Sequence, residues 1–219
     1  MRYYKLNVGR LPLGLVWSWG SLPGFLAFLV FYKLLRVRKY GPVLVPAQPG
    51  VLRIPEGEAR VDDHPGLEAA SAELTKAGLV PAMYYTTETI GPVSGLTRVF
   101  LSPDGRFAAL AMSSKARLSS ETSVSLVSVA DDGAIIGTGS TILRLPQVPG
   151  TELVRIPGAP PAELISHHVR RLDSRAVRQL AVEDVVQLLD EQQLRTIKHD
   201  VSIGLYEPAT DSDVAGGQA

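Results

Sequence analysis

The chain has 219 residues, and its 22 lysine and arginine residues equal its aspartate and glutamate residues in number. This balance excludes the basic surface with which nucleic-acid-binding domains neutralise phosphates, so we expect no nucleic-acid partner. The chain has no cysteine, which excludes disulfides, thiolate metal sites and a cysteine nucleophile.

An uncharged run extends from Leu11 to Tyr32. A helix needs about 20 apolar residues to cross the hydrocarbon core, so this run predicts a transmembrane anchor over residues 11–32. Basic residues flank the run, and bulky side chains stand where a signal peptidase would need small ones, which favours a retained anchor over a cleaved signal peptide. The flanking residues are Arg10, Lys33, Arg36, Arg38 and Lys39.

The same run has a second interpretation. Ser21 and Pro23 are a typical cap and first-turn residue of a new helix, so the run can break at this point. The helix that follows would then lie in the membrane interface as an amphipathic segment rather than span the bilayer. We take the spanning helix as the first expectation.

The distribution of basic residues predicts an orientation. More positive charge follows the anchor at close range than precedes it, which places the C-terminal domain on the cytosolic side of a single-pass protein. The expected partners are therefore the lipid bilayer and another membrane or membrane-associated protein.

Five segments follow from this interpretation. A stiff linker is indicated after the anchor, because its prolines remove backbone donors and favour extended structure. Apolar residues between Val43 and Ile54 could supply a short edge strand. The segments are an N-terminal flank (1–10), the anchor (11–32), a basic and proline-rich spacer (33–61), a globular domain (62–207) and a disordered tail (208–219).

The central part of the domain has the pattern of hairpins. A short amphipathic helix is expected from Pro65 to Ala77, and a strand from Leu79 to Thr86. Two hairpins follow, with turns at 102–105 and 130–133 in which glycine allows positive φ. The first turn resembles the strand-turn-strand signature of TolB-type and WD40 propeller repeats, but this chain is too short for a propeller of about four or more blades.

The C-terminal third is predicted to be mainly helical. An apolar stripe through Leu164, His168 and Leu172 predicts one helix, and a second is expected over residues 181–198. Alternating apolar residues from Val201 to Leu205 predict a final strand. The fold class is therefore α+β, with one antiparallel sheet of about five to seven strands and helices packed on one face.

A polar cluster on the first of these helices is the candidate docking patch. His167, Arg170 and Arg171 are expected to face outward, where they could bind an acidic partner or a lipid headgroup. His168 lies on the apolar stripe, and we expect it to be a hydrogen-bonded core imidazole. Neighbouring histidines point about 100° apart on a helix, so no metal site is expected.

The sequence is compatible with two functions. The first is a membrane-anchored, non-catalytic interaction domain, such as an accessory or assembly subunit of a membrane complex, because no catalytic motif or cofactor site is recognisable. The alternative is a membrane-associated hydrolase acting on a lipid, peptide or cell-wall substrate. Its candidate residues are His64, Ser113, Lys115 and His167, which would have to converge in one pocket.

Overall fold

The computed structural model describes residues 3–13, 16, 22–34, 40–48, 50–87, 94–116, 119–141 and 147–217. Within these ranges the chain forms an α+β fold with a seven-stranded and a three-stranded sheet. The strands are β1 (Tyr3–Asn7), β2 (Tyr40–Pro46), β3 (Val51–Ile54), β4 (Val80–Thr87), β5 (Ser94–Leu101), β6 (Ala108–Ala116), β7 (Ser119–Val129), β8 (Ile135–Gly139), β9 (Thr151–Arg155) and β10 (Tyr206–Pro208). The α-helices are α1 (Leu22–Phe28), α2 (Pro65–Lys76), α3 (Pro161–Leu172), α4 (Val182–Ser202) and α5 (Asp211–Gly217).

The large sheet has the order β3-β4-β5-β6-β7-β8-β9. Both predicted hairpins are present, and Gly105 and Gly133 in their turns have φ of 68° and 84°, where a side chain would be strained. The sheet is mixed rather than antiparallel, because β9 pairs with β8 in parallel. The sequence from Thr141 to Leu145 also suggests an extension of the sheet, but residues 142–145 lie outside the described residues.

Both faces of the large sheet are apolar, because successive side chains of a strand point to opposite faces. On one face Phe100 packs in a cluster with Leu67 of α2 and Leu164 of α3. On the other face Val99 packs in a separate cluster with Val185 and other residues of α4. The expectation that helices cover one face only is therefore wrong.

The small sheet joins the two ends of the chain. Strand β1 lies in its centre and pairs antiparallel with β2 and with β10. Lys5 of β1 also forms an ion pair of 2.7 Å with Asp213 of α5. Residues 208–219, which we expected to be a disordered tail, therefore include a helix attached to this sheet.

The segment expected to be a spacer also contains sheet structure. The predicted edge strand is present as β3, which pairs with β4 at the margin of the large sheet. Strand β2 from the same segment belongs to the small sheet. A domain starting at residue 62 would leave out β1, β2 and β3. These strands pair with each other or with β4 and β10 of the folded domain.

The predicted anchor differs most from the structure. The structure describes a helix over Leu22–Phe28 that continues as a π-helical run over Leu29–Leu34. We call residues 22–34 the N-terminal helix. In the part of the chain that the structure describes, no helix combines the length and the apolar character needed to cross a membrane. Residues 14, 15 and 17–21 of the predicted anchor, and with them Ser21 of the considered break, lie outside the described residues.

The end of α4 also differs from the prediction. Helix α4 continues to Ser202, so Val201 is helical rather than part of a final strand. Gly204 then takes a φ of 73°, and the strand β10 starts only at Tyr206. The alternation of Val201, Ile203 and Leu205 was too short to distinguish a strand from a helix end.

Leu189 provides a test of the core beneath α4. It is 5% exposed and packs in the same cluster as Val185 and Leu188. We expect Leu189→Ala to lower the free energy of unfolding by about 2–5 kcal/mol, because it removes buried contacts and leaves a cavity. Urea denaturation measures this change. Leu52→Ala is the control at a 49% exposed leucine, and an equal loss in both variants would contradict the assigned core.

Candidate functional site

The N-terminal helix has one packed and one exposed side. Phe28 is buried in a small cluster with Leu11, Val16 and Leu205, and Phe25 and Tyr32 pack against this cluster. The opposite side presents large apolar residues to solvent with exposed fractions from 45% to 75%. These exposed residues are Leu22, Leu26, Val30, Phe31 and Leu34.

The predicted basic flanks of the anchor are only partly described. The Lys33 ammonium donates to the backbone oxygen of Gly9 at 2.8 Å and lies 5.7 Å from the centre of the Phe28 ring. Arg10 is exposed at the end of a 3₁₀ turn, Val8–Arg10. Arg36, Arg38 and Lys39 lie outside the described residues. Lys33 therefore connects the N-terminal helix to the turn after β1.

Arg171 of the predicted docking patch does not face outward. Its guanidinium donates to the backbone oxygens of Gly137 in β8 and Glu152 in β9, the latter at 2.9 Å. It also donates to the Thr138 hydroxyl at 3.0 Å. Because these bonds join α3 to both parallel strands, Arg171 has a structural role that the helical pattern alone did not reveal.

The other two residues of the patch are closer to the expectation. Arg170 is exposed, and its Nε donates to the backbone oxygen of Ser166 one turn earlier. His167 is half-buried, and its Nδ1 is buried without a hydrogen-bond partner among the described residues. Their role in docking stays a prediction.

His168 confirms the prediction of a hydrogen-bonded core imidazole. It is fully buried, with Nδ1 3.0 Å from the Thr138 hydroxyl and Nε2 3.0 Å from the Ser128 hydroxyl. The Ser128 hydroxyl donates to the backbone oxygen of Arg106, so it must accept from Nε2 of His168. The Thr138 hydroxyl then donates to Nδ1, and the imidazole is neutral with its proton on Nε2.

The structure brings together three of the four residues considered for a hydrolase, His64, Ser113 and Lys115. His64 Nδ1 lies 3.1 Å from the Ser113 hydroxyl, and Lys115 pairs with Asp63 at 3.5 Å. His64 and Ser113 are 5% and 3% exposed, and neither lines a described cavity. Burial lowers the pKa of His64, and the nearby charge of Asp63 partly opposes this effect. Both members of this pair are therefore largely shielded from solvent.

A cleft of about 450 Å³ lies on the α4 face of the large sheet. Its volume falls in the range of about 300–1,000 Å³ that is typical of small-ligand sites. Apolar side chains of the sheet line it, including Leu110, Met112, Val127 and Leu153. Strand β8 contributes Gly137 at a position where a Cβ would lie 2.8 Å from Leu153 Cδ1, so this part of the lining has no side chain of its own.

Polar groups line the same cleft from α4 and β10. Gln193, Thr196 and Asp200 follow one side of α4, and Tyr206 comes from β10. The Gln193 Oε1 is buried and has no hydrogen-bond partner among the described residues. Burial raises the pKa of Asp200, with an opposing effect from nearby His199. Burial and the charge of Asp200 also raise the pKa of Tyr206.

Sequence reasoning did not identify this cleft. Its signal in the sequence is the spacing i, i+3, i+7 of Gln193, Thr196 and Asp200, which places three polar residues on one side of α4. That side follows the apolar positions Val185 and Leu189 along the same helix. The pattern shows that this side of α4 changes from apolar to polar along the helix. The opposite wall of the cleft comes from strands that are distant in sequence, so the pattern alone does not reveal a cleft.

Arg171 and Arg170 give a matched pair of variants. We expect Arg171→Met to lower the free energy of unfolding by at least about 2 kcal/mol, because it leaves the carbonyls of Gly137 and Glu152 without their charged donor. Arg170→Met should change it by less than about 0.5 kcal/mol at its exposed position. Chemical denaturation of both variants measures the difference. Equal stability would mean that the contacts of Arg171 contribute little.

His168 predicts a dependence of stability on pH. Burial lowers its pKa from 6.5 to about 4, and the charge of Arg171 acts in the same direction. Between these values the unfolded chain binds more protons than the folded chain, so the contribution is complete above pH 6.5 and is lost as the pH falls towards 4. The expected loss from this group is about 3 kcal/mol.

Urea denaturation at a series of pH values measures this loss, and His168→Gln should reduce the slope between pH 6.5 and 4. His64 contributes in the same sense, so some slope should remain in the variant. An unchanged slope in His168→Gln would contradict the assignment of a neutral buried imidazole.

Comparison of the chain with protein-family models, with curated proteins and with solved structures finds no match. Among the described residues, the exposed apolar side of the N-terminal helix and the cleft between α4 and the large sheet are the features that best suit a binding function.

Proposed function

We propose that this protein is a non-catalytic interaction domain that attaches to a membrane surface through its N-terminal helix. The observation that supports this function is the apolar side of that helix, where five large apolar residues are 45–75% exposed. Exposed apolar patches of this kind are typical of interfaces with membranes or proteins. The proposal replaces the spanning anchor with the interfacial alternative.

The geometry of the helix favours a bilayer as its partner. Leu22, Leu26 and Val30 are spaced four residues apart, so they form one stripe along the helix. Phe25 and Phe28 lie on the other side and pack on the folded domain. A helix held in this way can lie in the plane of the interface with its exposed stripe among the acyl chains.

Charge supports the same partner. Lys33 is exposed at the end of the helix, and Arg36, Arg38 and Lys39 follow within six residues in the sequence. Basic residues beside an interfacial helix are attracted to anionic headgroups by about 1 kcal/mol each. The free energies of apolar insertion and of attraction to anionic headgroups add. Together they would hold the protein on the bilayer more strongly than either alone.

The hydrolase alternative has less support. The observation in its favour is the distance of 3.1 Å between His64 Nδ1 and the Ser113 hydroxyl, with Lys115 near His64. Ser113 lies within the strand β6 rather than on an exposed turn, and both side chains of the pair are buried. A serine nucleophile needs access to its substrate, so we favour the non-catalytic domain.

Vesicle binding tests the attachment. Full-length protein should sediment with phosphatidylserine-containing vesicles, and alkaline carbonate should release it because an interfacial helix does not span the bilayer. Leu26→Glu combined with Phe31→Glu should weaken binding at least about tenfold, because this removes two apolar side chains from the interface. Both residues are exposed, so the fold should be retained.

The matched control combines Leu52→Glu with Val80→Glu, which changes charge equally at exposed apolar positions outside the helix. It should bind vesicles as well as the natural sequence does. Equal binding by the helix variant and the control would refute the interfacial helix. Resistance of the natural sequence to carbonate would instead favour a spanning anchor.

A further inference from the structure

The cleft between α4 and the large sheet has the properties of a ligand site separate from the membrane-facing helix. Most of its lining is apolar, and its volume is about 450 Å³. An apolar ligand in such a site removes its own surface and that of the cleft from water. The cleft therefore suits an apolar chain better than a polar metabolite.

The ionisable side chains of the cleft restrict the charge that the head group of this ligand can carry. Among the described residues that line it there is no lysine, arginine or histidine. The ionisable residues that do line it are Tyr85, Asp200 and Tyr206, none of which can neutralise an anion. An ionised fatty acid would thus place its carboxylate beside Asp200 without a cation, which is unfavourable.

The unpaired acceptor of Gln193 indicates that the head group of the ligand should carry a hydrogen-bond donor. The buried Oε1 has no donor among the described residues, and leaving such an acceptor unpaired is costly. A hydroxyl group on the ligand would supply the missing hydrogen bond. Thr196 and Asp200 lie three and seven residues further along the same side of α4, where further hydroxyl groups could bind.

The position of the cleft indicates where such a ligand would come from. Tyr206 lines the cleft, and its neighbour Leu205 is buried in the cluster that holds Phe28 of the N-terminal helix. Leu205 also donates its backbone N–H to the Asp200 carbonyl at 2.8 Å. The cleft and the membrane-facing helix are thus connected through two consecutive residues.

We propose that the cleft binds one uncharged single-chain lipid of the monoacylglycerol class, taken from the bilayer. The site rests on the cleft itself, and only the source of the lipid rests on the proposed membrane attachment. The acyl chain lies against the apolar side chains of the sheet. The glycerol hydroxyls bind the Gln193 side of α4.

Equilibrium binding of radiolabelled 1-palmitoylglycerol to the full chain, without vesicles and below the concentration at which this lipid aggregates in water, tests the site. We expect saturable binding of one molecule per chain. 1-Myristoylglycerol, which is shorter by two methylenes, should bind about fifteenfold more weakly if both methylenes are buried. Palmitate at neutral pH should bind at least about tenfold more weakly than 1-palmitoylglycerol.

Two variants and one control locate the ligand. Thr196→Trp fills the cleft and should reduce binding at least tenfold, whereas Gln187→Trp on the exposed side of α4 should not. Gln193→Leu removes the unpaired acceptor, so it should raise the melting temperature of the free protein and weaken binding of 1-palmitoylglycerol. This second variant keeps the test valid if Thr196→Trp fails to fold.

Absence of saturable binding, equal binding by Thr196→Trp and Gln187→Trp, or preference for palmitate would overturn the proposal. Dimerisation abolished by Thr196→Trp, with no lipid bound, would assign the cleft to a second copy and overturn it as well. Vesicle sedimentation of the same protein variants distinguishes the proposed membrane attachment from the proposed cleft ligand. Lipid binding without sedimentation would reject only the membrane attachment, and sedimentation without lipid binding would reject only the cleft ligand.

Discussion

The large sheet is apolar on both faces, and this constraint determines where the helices must lie. Phe100 and Val99 are neighbours in β5, yet they are fully buried in two different clusters. An exposed apolar sheet face would be unstable in water, so each side needs a cover. Helices α2 and α3 cover one face. Helix α4 covers the other, and its later turns border the cleft instead of filling it.

Polar contacts fix the position of the first helical layer on the sheet. Arg171 joins α3 to the backbone of β8 and β9, and His168 bonds to hydroxyls of Ser128 and Thr138 beneath it. Each of these buried groups has a partner, which is the condition under which a polar network in a core is tolerated. The apolar stripe alone would permit the helix to slide, whereas these directional bonds favour one register.

The two proposed binding features meet where the chain ends come together. Strand β1 pairs with β10, and Leu205 just before β10 packs with Phe28 of the N-terminal helix. Tyr206 of β10 lines the cleft on the other side of this junction. A domain attached to the bilayer at this corner would have its apolar cleft close to a supply of lipid. The small sheet is therefore the element that links the two proposed sites.

The sequence by itself determined the local elements of this protein. Periodicity identified α2, α3 and most of α4, and the glycines at 105 and 133 identified both hairpin turns, because these signals depend on neighbours in the chain. It also identified His168 as a core residue. Only the tertiary structure decided the parallel pairing of β9, the cover on both sheet faces, the role of Arg171 and the cleft. Each of these depends on partners such as Glu152 or Leu153 that are distant in sequence.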